Sequence, residues 1–233
     1  MRSTLAALVL ALAPAAQEKE TILTGTVKLS VPAPKAGPER GIAGDPKCAC
    51  LHAKLPVKEE LLVGPEGGVK WAFVYVKKGL PVGPFPVPKE PVLLDQVGCV
   101  YHPRVFGIRA GQRLDIRNSD DMLHNVHGLP FNNPEFNFGQ VKGQVNPVRF
   151  ATPEVMVLIK CDVHAWMRSY AGVLDHPFFA VTDASGRFAI KGLPAGKYTL
   201  GVWQERCVAA EVEVTVGPGE RKAGDVALDL RKE

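Results

Sequence analysis

Twenty prolines and twenty-three glycines break this 233-residue chain at short intervals. That punctuation limits what the chain can fold into. Proline removes a backbone donor and fixes φ, and glycine weakens helix interiors, so short strands joined by turns are favoured over long helices. Strand patterns fill the gaps. Residues 21–31 (TILTGTVKLSV) alternate apolar and polar, and 69–76 (VKWAFVYV) are aromatic and β-branched. Residues 105–116 read as strand, turn at Ala110-Gly111, strand, and 155–160 form a continuous apolar run. Such a run suits a strand buried in a sandwich core. The Pro- and Gly-rich breaks fall at 32–46, 79–91 and 130–134, and a single weak helical window covers 52–62. The expected fold class is all-β.

A boundary is expected near residues 174–177. Beyond it, residues 178–203 (FFAVTDASGRFAIKGLPAGKYTLGVW) read as three strands joined by Asp-Ala-Ser-Gly and Gly-Leu-Pro-Ala-Gly turns, the signature of a compact meander. The segment 211–216 (EVEVTV) alternates strictly and predicts one more strand.

The first residues, MRSTLAALVLALAPAAQEKE, place Arg2 before an apolar run and then small residues. This predicts a secretory signal peptide over 1–16, too short to be a membrane span. Cleavage there leaves 217 residues with formal charge +3, because Arg2 is removed from a chain of +4. With no basic block, nucleic acid is not an expected partner. The expected location is the periplasm or the outside of the cell, where disulfides form.

The chemistry concentrates in KCDVHAWMRS, residues 160–169. Cys161, His164 and Met167 stand three residues apart, straight after the apolar run. A helix would spread Cys161 and Met167 over about 9 Å of its axis. A loop at a strand end turns all three toward one point. Thiolate and thioether together select a soft metal; zinc does not favour Met, and haem attachment would need C-x-x-C-H. Copper suits the set, and a further histidine is then wanted. The stretch NSDDMLHNVHG, residues 118–128, follows a strand and offers His124 or His127. With Cys161 assigned to the metal, Cys48, Cys50, Cys99 and Cys207 remain. One bridge from Cys48 or Cys50 to Cys99 is expected, and a second soft-metal site at Cys48, Cys50 and His52 is the alternative.

The His124-Asn125-Val126 segment with the later Cys-x-x-His-x-x-Met loop resembles the cupredoxins, the blue copper proteins, in their amicyanin- and plastocyanin-like form. Ala110-Gly111-Gln112-Arg113-Leu114-Asp115-Ile116 is similar to the strand that leads into that site. The resemblance implies a Greek-key β-sandwich over 17–175 with N-terminal insertions. It implies one type 1 copper ion held by His124, Cys161, His164 and Met167, with Asn125 tethering the two ligand segments. It also implies an electron-transfer patch in which His164 is the exit, with Ala165 and Trp166 beside it. The run GRFAIKGLPAGKYTL resembles the carboxypeptidase regulatory-like domain, which implies a small transthyretin-like sandwich over 176–233 with a structural or docking role.

These features predict an exported carrier of single electrons with a transient redox protein partner. It is not expected to be an enzyme with a small-molecule substrate, because four protein ligands leave no open metal position. The competing reading is a copper carrier or a structural, adhesive β-sandwich protein without redox turnover.

Overall fold

A computed structural model of the chain describes residues 21–217, 219 and 221–231. The expected signal peptide, 1–16, lies outside them. In chain order the strands are β1 (Ile22–Leu29), β2 (Phe73–Lys78), β3 (Val92–Gln96), β4 (Tyr101–His102), β5 (Val105–Arg109), β6 (Arg113–Asn118), β7 (His124–Leu129) and β8 (Phe136–Gln140). Then come β9 (Val145–Arg149), β10 (Glu154–Lys160), β11 (Arg168–Leu174), β12 (Phe179–Val181), β13 (Arg187–Lys191), β14 (Gly196–Trp203), β15 (Ala210–Val216) and β16 (Arg221–Leu228). Two short helices, α1 (Arg40–Gly44) and α2 (Pro46–Ala49), sit between β1 and β2. The protein is all-β, as its punctuation predicts. Among the described residues no helix is long and apolar enough to cross a membrane.

Among the described residues, four sheets enclose two cores. The sheet β5-β11-β10-β7-β8 and the sheet β4-β3-β6-β9 bury Leu94, Ile108, Leu114, Ile116, Val126, Val157 and Ile159 between them. The sheets β13-β1-β16 and β12-β2-β14-β15 bury Leu23, Val27, Val74, Ile190, Leu200 and Val202. Alternation drives both cores: β1 and β7 bury every second side chain, which puts one face of each strand inward.

The division expected after residue 175 does not follow the strand pairing. β1 and β2 precede β3–β11 in sequence but pair with strands that follow them: β1 with β13 and β16, β2 with β12 and β14. The sandwich of residues 92–174 is therefore inserted into the other one, between β2 and β12. Nor do β12, β13 and β14 form a meander. β2 lies between β12 and β14, and β13 crosses to the opposite sheet. Turn residues fix where strands reverse, and alternation fixes which face is buried; neither selects the neighbour. The helical window at 52–62 is not helical. Pro56 sits in its middle and its carbonyl accepts from Glu39 N–H, while Lys58 N–H donates to Gly37, so the segment pairs with residues 37–39 instead.

The two sandwiches meet at an aromatic seam of Phe73, Val105, Tyr170 and Leu174, flanked by Phe179 and Trp203. Glycine permits the close approach: a Cβ on Gly172 would lie 2.3 Å from the Phe73 ring, and one on Gly107 would lie 2.1 Å from Phe179. A buried ion pair closes the seam. Arg104 Nε donates to Glu205 Oε2 at 3.1 Å, and Tyr170 donates to Glu205 Oε1 at 2.8 Å.

His176 marks the same junction. It is buried, and its Nδ1 accepts from Phe178 N–H at 3.2 Å. Burial pushes its pKa below the ordinary histidine value, so the folded chain takes up this proton less readily than the unfolded chain. Its contribution to stability is full above about pH 6.5 and falls as pH drops toward the lowered folded value. Urea midpoints measured from pH 7 to pH 5 are expected to fall less steeply for His176→Gln than for the parent.

Candidate metal centre

The stretch from Cys161 to Met167 is the connection between β10 and β11, whose last paired residues are Lys160 and Arg168. It is a tight, internally bonded loop. Cys161 N–H donates to the Met167 carbonyl at 3.1 Å, and Met167 N–H to the His164 carbonyl at 2.9 Å. His164 N–H points at Cys161 Sγ from 3.4 Å. β7 pairs with β10 from Lys160↔His127 to Leu158↔Leu129, which places His124 just past the end of β10, beside the loop.

Three donor atoms converge there. His124 Nδ1 lies 3.2 Å from His164 Nδ1, and His164 Nδ1 lies 3.7 Å from Cys161 Sγ. Ligand atoms of all three residues fall within 4.8 Å of one another. The site is enclosed: His124 and Met167 are 0% exposed, Cys161 2% and His164 5%. Asn125 sits where the resemblance puts a tether. Its Oδ1 accepts from Asp162 N–H at 3.0 Å, and its Nδ2 donates to Asn137 Oδ1 at 2.6 Å. The first bond joins the start of β7 to the loop. Tyr101 reinforces it by donating to the Asn125 carbonyl at 2.7 Å. His127 lies outside the cluster, with its nitrogens on Asp162 and Glu135.

Sequence reasoning does not find Asp120. Its Oδ2 lies 2.9 Å from His124 Nε2, the nitrogen facing away from the other donors. Gly98 and Cys99 both adopt left-handed backbone, φ 65° and 55°, which turns two successive N–H groups onto the Asp120 carboxylate at 2.6 and 2.7 Å. Such a concave pair of N–H groups is an anion cradle. Burial works to raise the Asp120 pKa, but the His124 bond and the two N–H groups outweigh it and hold the carboxyl below its usual range. Burial likewise works to lower His124, and Asp120 and Cys161 push it up to about 9. Burial opposes the Cys161 thiolate too; the bond from His124 and the backbone N–H groups of Asn125, His164 and Val163 bring its pKa below that of an ordinary thiol. Without a metal, His124 and Cys161 thus favour the imidazolium and the thiolate in one another, beside the buried Asp120 carboxylate. An adjacent imidazolium is a known way to hold a cysteine as thiolate.

Much of the expected electron-transfer patch is covered. His164 is not an open edge, because residues 39–52 form a strap across it. Ile42 anchors the strap in the core at 0% exposure. Asp45 Oδ2 and Cys48 Sγ approach His164 Nε2 at 3.5 and 3.7 Å. Trp166 is wedged beneath. Its indole N–H donates to the Cys99 carbonyl at 2.9 Å, and its ring lies so near Gly41 that a Cβ there would be 2.4 Å away. Of the expected patch only Ala165 is exposed. The strap is stapled by a disulfide between Cys48 and Cys99. Cys50 is a free, exposed thiol that donates to the Lys47 carbonyl. His52 Nε2 lies 2.7 Å from the Gly98 carbonyl, so Cys48, Cys50 and His52 do not form a metal site here.

Set beside known proteins, residues 142–223 match one family profile, polysaccharide lyase family 4, domain II. That description differs from the carboxypeptidase regulatory-like domain that residues 178–216 resemble. No curated protein matches the chain. Among solved structures, a copper-containing nitrite reductase from Thermus scotoductus SA-01 is 21% identical with a TM-score of 0.35, covering 42% of this chain and 26% of that one. The chain thus spans about a quarter of the reductase. A purple cupredoxin from Nitrosopumilus maritimus is 19% identical with a TM-score of 0.31, covering 35% of this chain and 98% of that one. A reduced amicyanin variant is 20% identical with a TM-score of 0.33, covering 43% and 97%.

Proposed function

We propose that this chain is an exported type 1 copper protein that carries single electrons to and from a transient protein partner. The observation that carries the reading is the convergence of His124 Nδ1, His164 Nδ1 and Cys161 Sγ in one buried cluster. Two imidazoles, one cysteine sulfur and a buried thioether on the same loop make a donor set that suits copper in a trigonal site with a weak axial ligand. His124, Cys161 and His164 would hold the ion, and Met167 would supply the long contact. Bound copper contributes a one-electron Cu(I)/Cu(II) couple.

The chain's own residues supply the rest. The loop bonds and the Asn125 tether keep the donors in one arrangement, so little has to rearrange when charge changes. Enclosure excludes water and substrate, which supports a carrier over an enzyme, since metal catalysis needs an open position. Asp120 fixes the ring of His124 through its remote nitrogen, the role a carboxylate takes behind a metal-bound histidine.

Purified protein loaded with Cu(II) is expected to show an intense visible thiolate-to-copper band that bleaches on reduction and returns on reoxidation. Copper bound tightly without that band favours a carrier for delivery, and no copper binding leaves the structural reading. Asp120→Asn keeps the size of the side chain and loses its charge. It is expected to weaken copper binding about 10–100-fold, measured by competition with a chromophoric chelator.

A further inference from the structure

The Cys48–Cys99 staple borders the proposed centre at His164 and Asp120 and also touches a sulfur that the centre does not use. Met122 Sδ is 3.3 Å from Cys99 Sγ and 3.9 Å from Cys48 Sγ. Cys48 and Cys99 are both 0% exposed, while Met122 is half-buried and links the sulfur cluster to the surface at exposed Leu123. Three sulfurs from three separate segments therefore meet at one point. Cys48 comes from α2 in the strap, Cys99 from the turn after β3, and Met122 from the approach to β7.

The geometry points to a second, soft-metal site made of Cys48, Cys99 and Met122, closed while the disulfide is intact and opened when it is reduced. It would take Cu(I) or a similarly soft monovalent ion. A metal–sulfur bond of about 2.3 Å implies sulfurs about 4 Å apart around a three-coordinate ion. The two Met122 separations already approach that value, and only the bonded pair must part. Cys48 can supply that movement, because it rides on the strap and not on a sheet strand. Soft sulfur donors select a soft ion over the hard cations that Asp45 and Asp120 nearby would attract.

The reaction balances with a dithiol as reductant. The dithiol gives two electrons and two protons, the Cys48–Cys99 bond breaks to two thiols, and the dithiol closes to its own disulfide. The metal ion then displaces the two thiol protons to solvent. The strap over His164 would thereby respond to thiol status, and copper in the reduced protein would have a second seat beside the first.

The test uses the full chain carrying Cys161→Ala, which disables the first centre and makes the result independent of the electron-carrier reading. That protein is reduced with a dithiol, desalted without oxygen and titrated with Cu(I) against a chromophoric chelator. The disulfide form is expected to take no Cu(I) from the chelator and the reduced form to take one equivalent. That equivalent is expected to be lost in Cys48→Ser, in Cys99→Ser and in Met122→Leu, each made in the same background. Circular dichroism is recorded alongside and is expected to keep its β-sheet signal. Equal binding by the oxidised and reduced forms overturns the proposal. So does binding that survives Met122→Leu, and so does loss of the β-sheet signal on reduction. The visible band of the unsubstituted, disulfide-bonded protein reports separately on the first centre.

Discussion

Cys161→Ser is expected to abolish the visible band of the copper-loaded protein while leaving the metal-free fold intact. The substitution exchanges one sulfur for one oxygen at a position only 2% exposed, so packing hardly changes. The chemistry changes completely. The sulfur is the anionic, polarisable donor of the cluster. Against its burial, His124 and the backbone N–H groups of Asn125, Val163 and His164 favour its thiolate form. A serine hydroxyl in that cradle stays neutral and hard, so no thiolate-to-copper transition exists and soft-metal preference disappears. Absorption spectra with Cu(II) and far-ultraviolet circular dichroism without it separate the two effects. A band that persists in Cys161→Ser would remove this residue from the donor set.

The second large effect lies at the seam between the two sandwiches. Glu205→Ala is expected to destabilise the protein by about 3–5 kcal/mol, because it strands the Arg104 guanidinium in a buried seam. The side chains of Arg104 and Glu205 are only 7% and 11% exposed, and Tyr170 loses its acceptor in the same step. Replacing both charges together, Arg104→Met with Glu205→Leu, is expected to recover most of the loss, since a buried ion pair exchanged for packed apolar groups is often neutral. Urea denaturation of the three proteins checks this. Equal losses in the single and double variants would refute an uncompensated charge as the cause.

The metal cluster is the most legible part of the sequence, for a physical reason. Cys161 and His164 sit on one connection, with Met167 at its end, and local spacing alone brings the first two together. His124 is legible because a strand end followed by His-Asn-Val is a compact signal. Asp120 is not, because its role depends on the left-handed turn at Gly98 and Cys99, which comes from a distant part of the chain. The sequence also leaves Cys48 and Cys50 open as partners for Cys99. They stand one residue apart on either side of the end of α2, and only the orientation of that four-residue helix buries one and exposes the other. The strap is hidden for a similar reason: α1 and α2 are too short to show a helical period, and the Pro- and Gly-rich composition of 32–46 reads as plain loop. In the second sandwich, the strand at 22–29 is visible by alternation and the one at 73–78 by the aromatic and β-branched run at 69–76, but their partners lie beyond the reach of any local pattern.

That nesting also dictates an order of events at the ribosome. β1 runs parallel to β16, Ile22 against Arg221 and Leu29 against Leu228, so it waits for almost the whole chain to be made. At about 5–20 residues per second that delay is roughly 10–40 s. The inner strands, from Val92 to Leu174, are complete well before then and can settle without either end. The outer sheets then close around a finished insert. Until they do, β1 and β2 remain unclaimed edges, and that interval is when a nascent chain of this design most needs a chaperone.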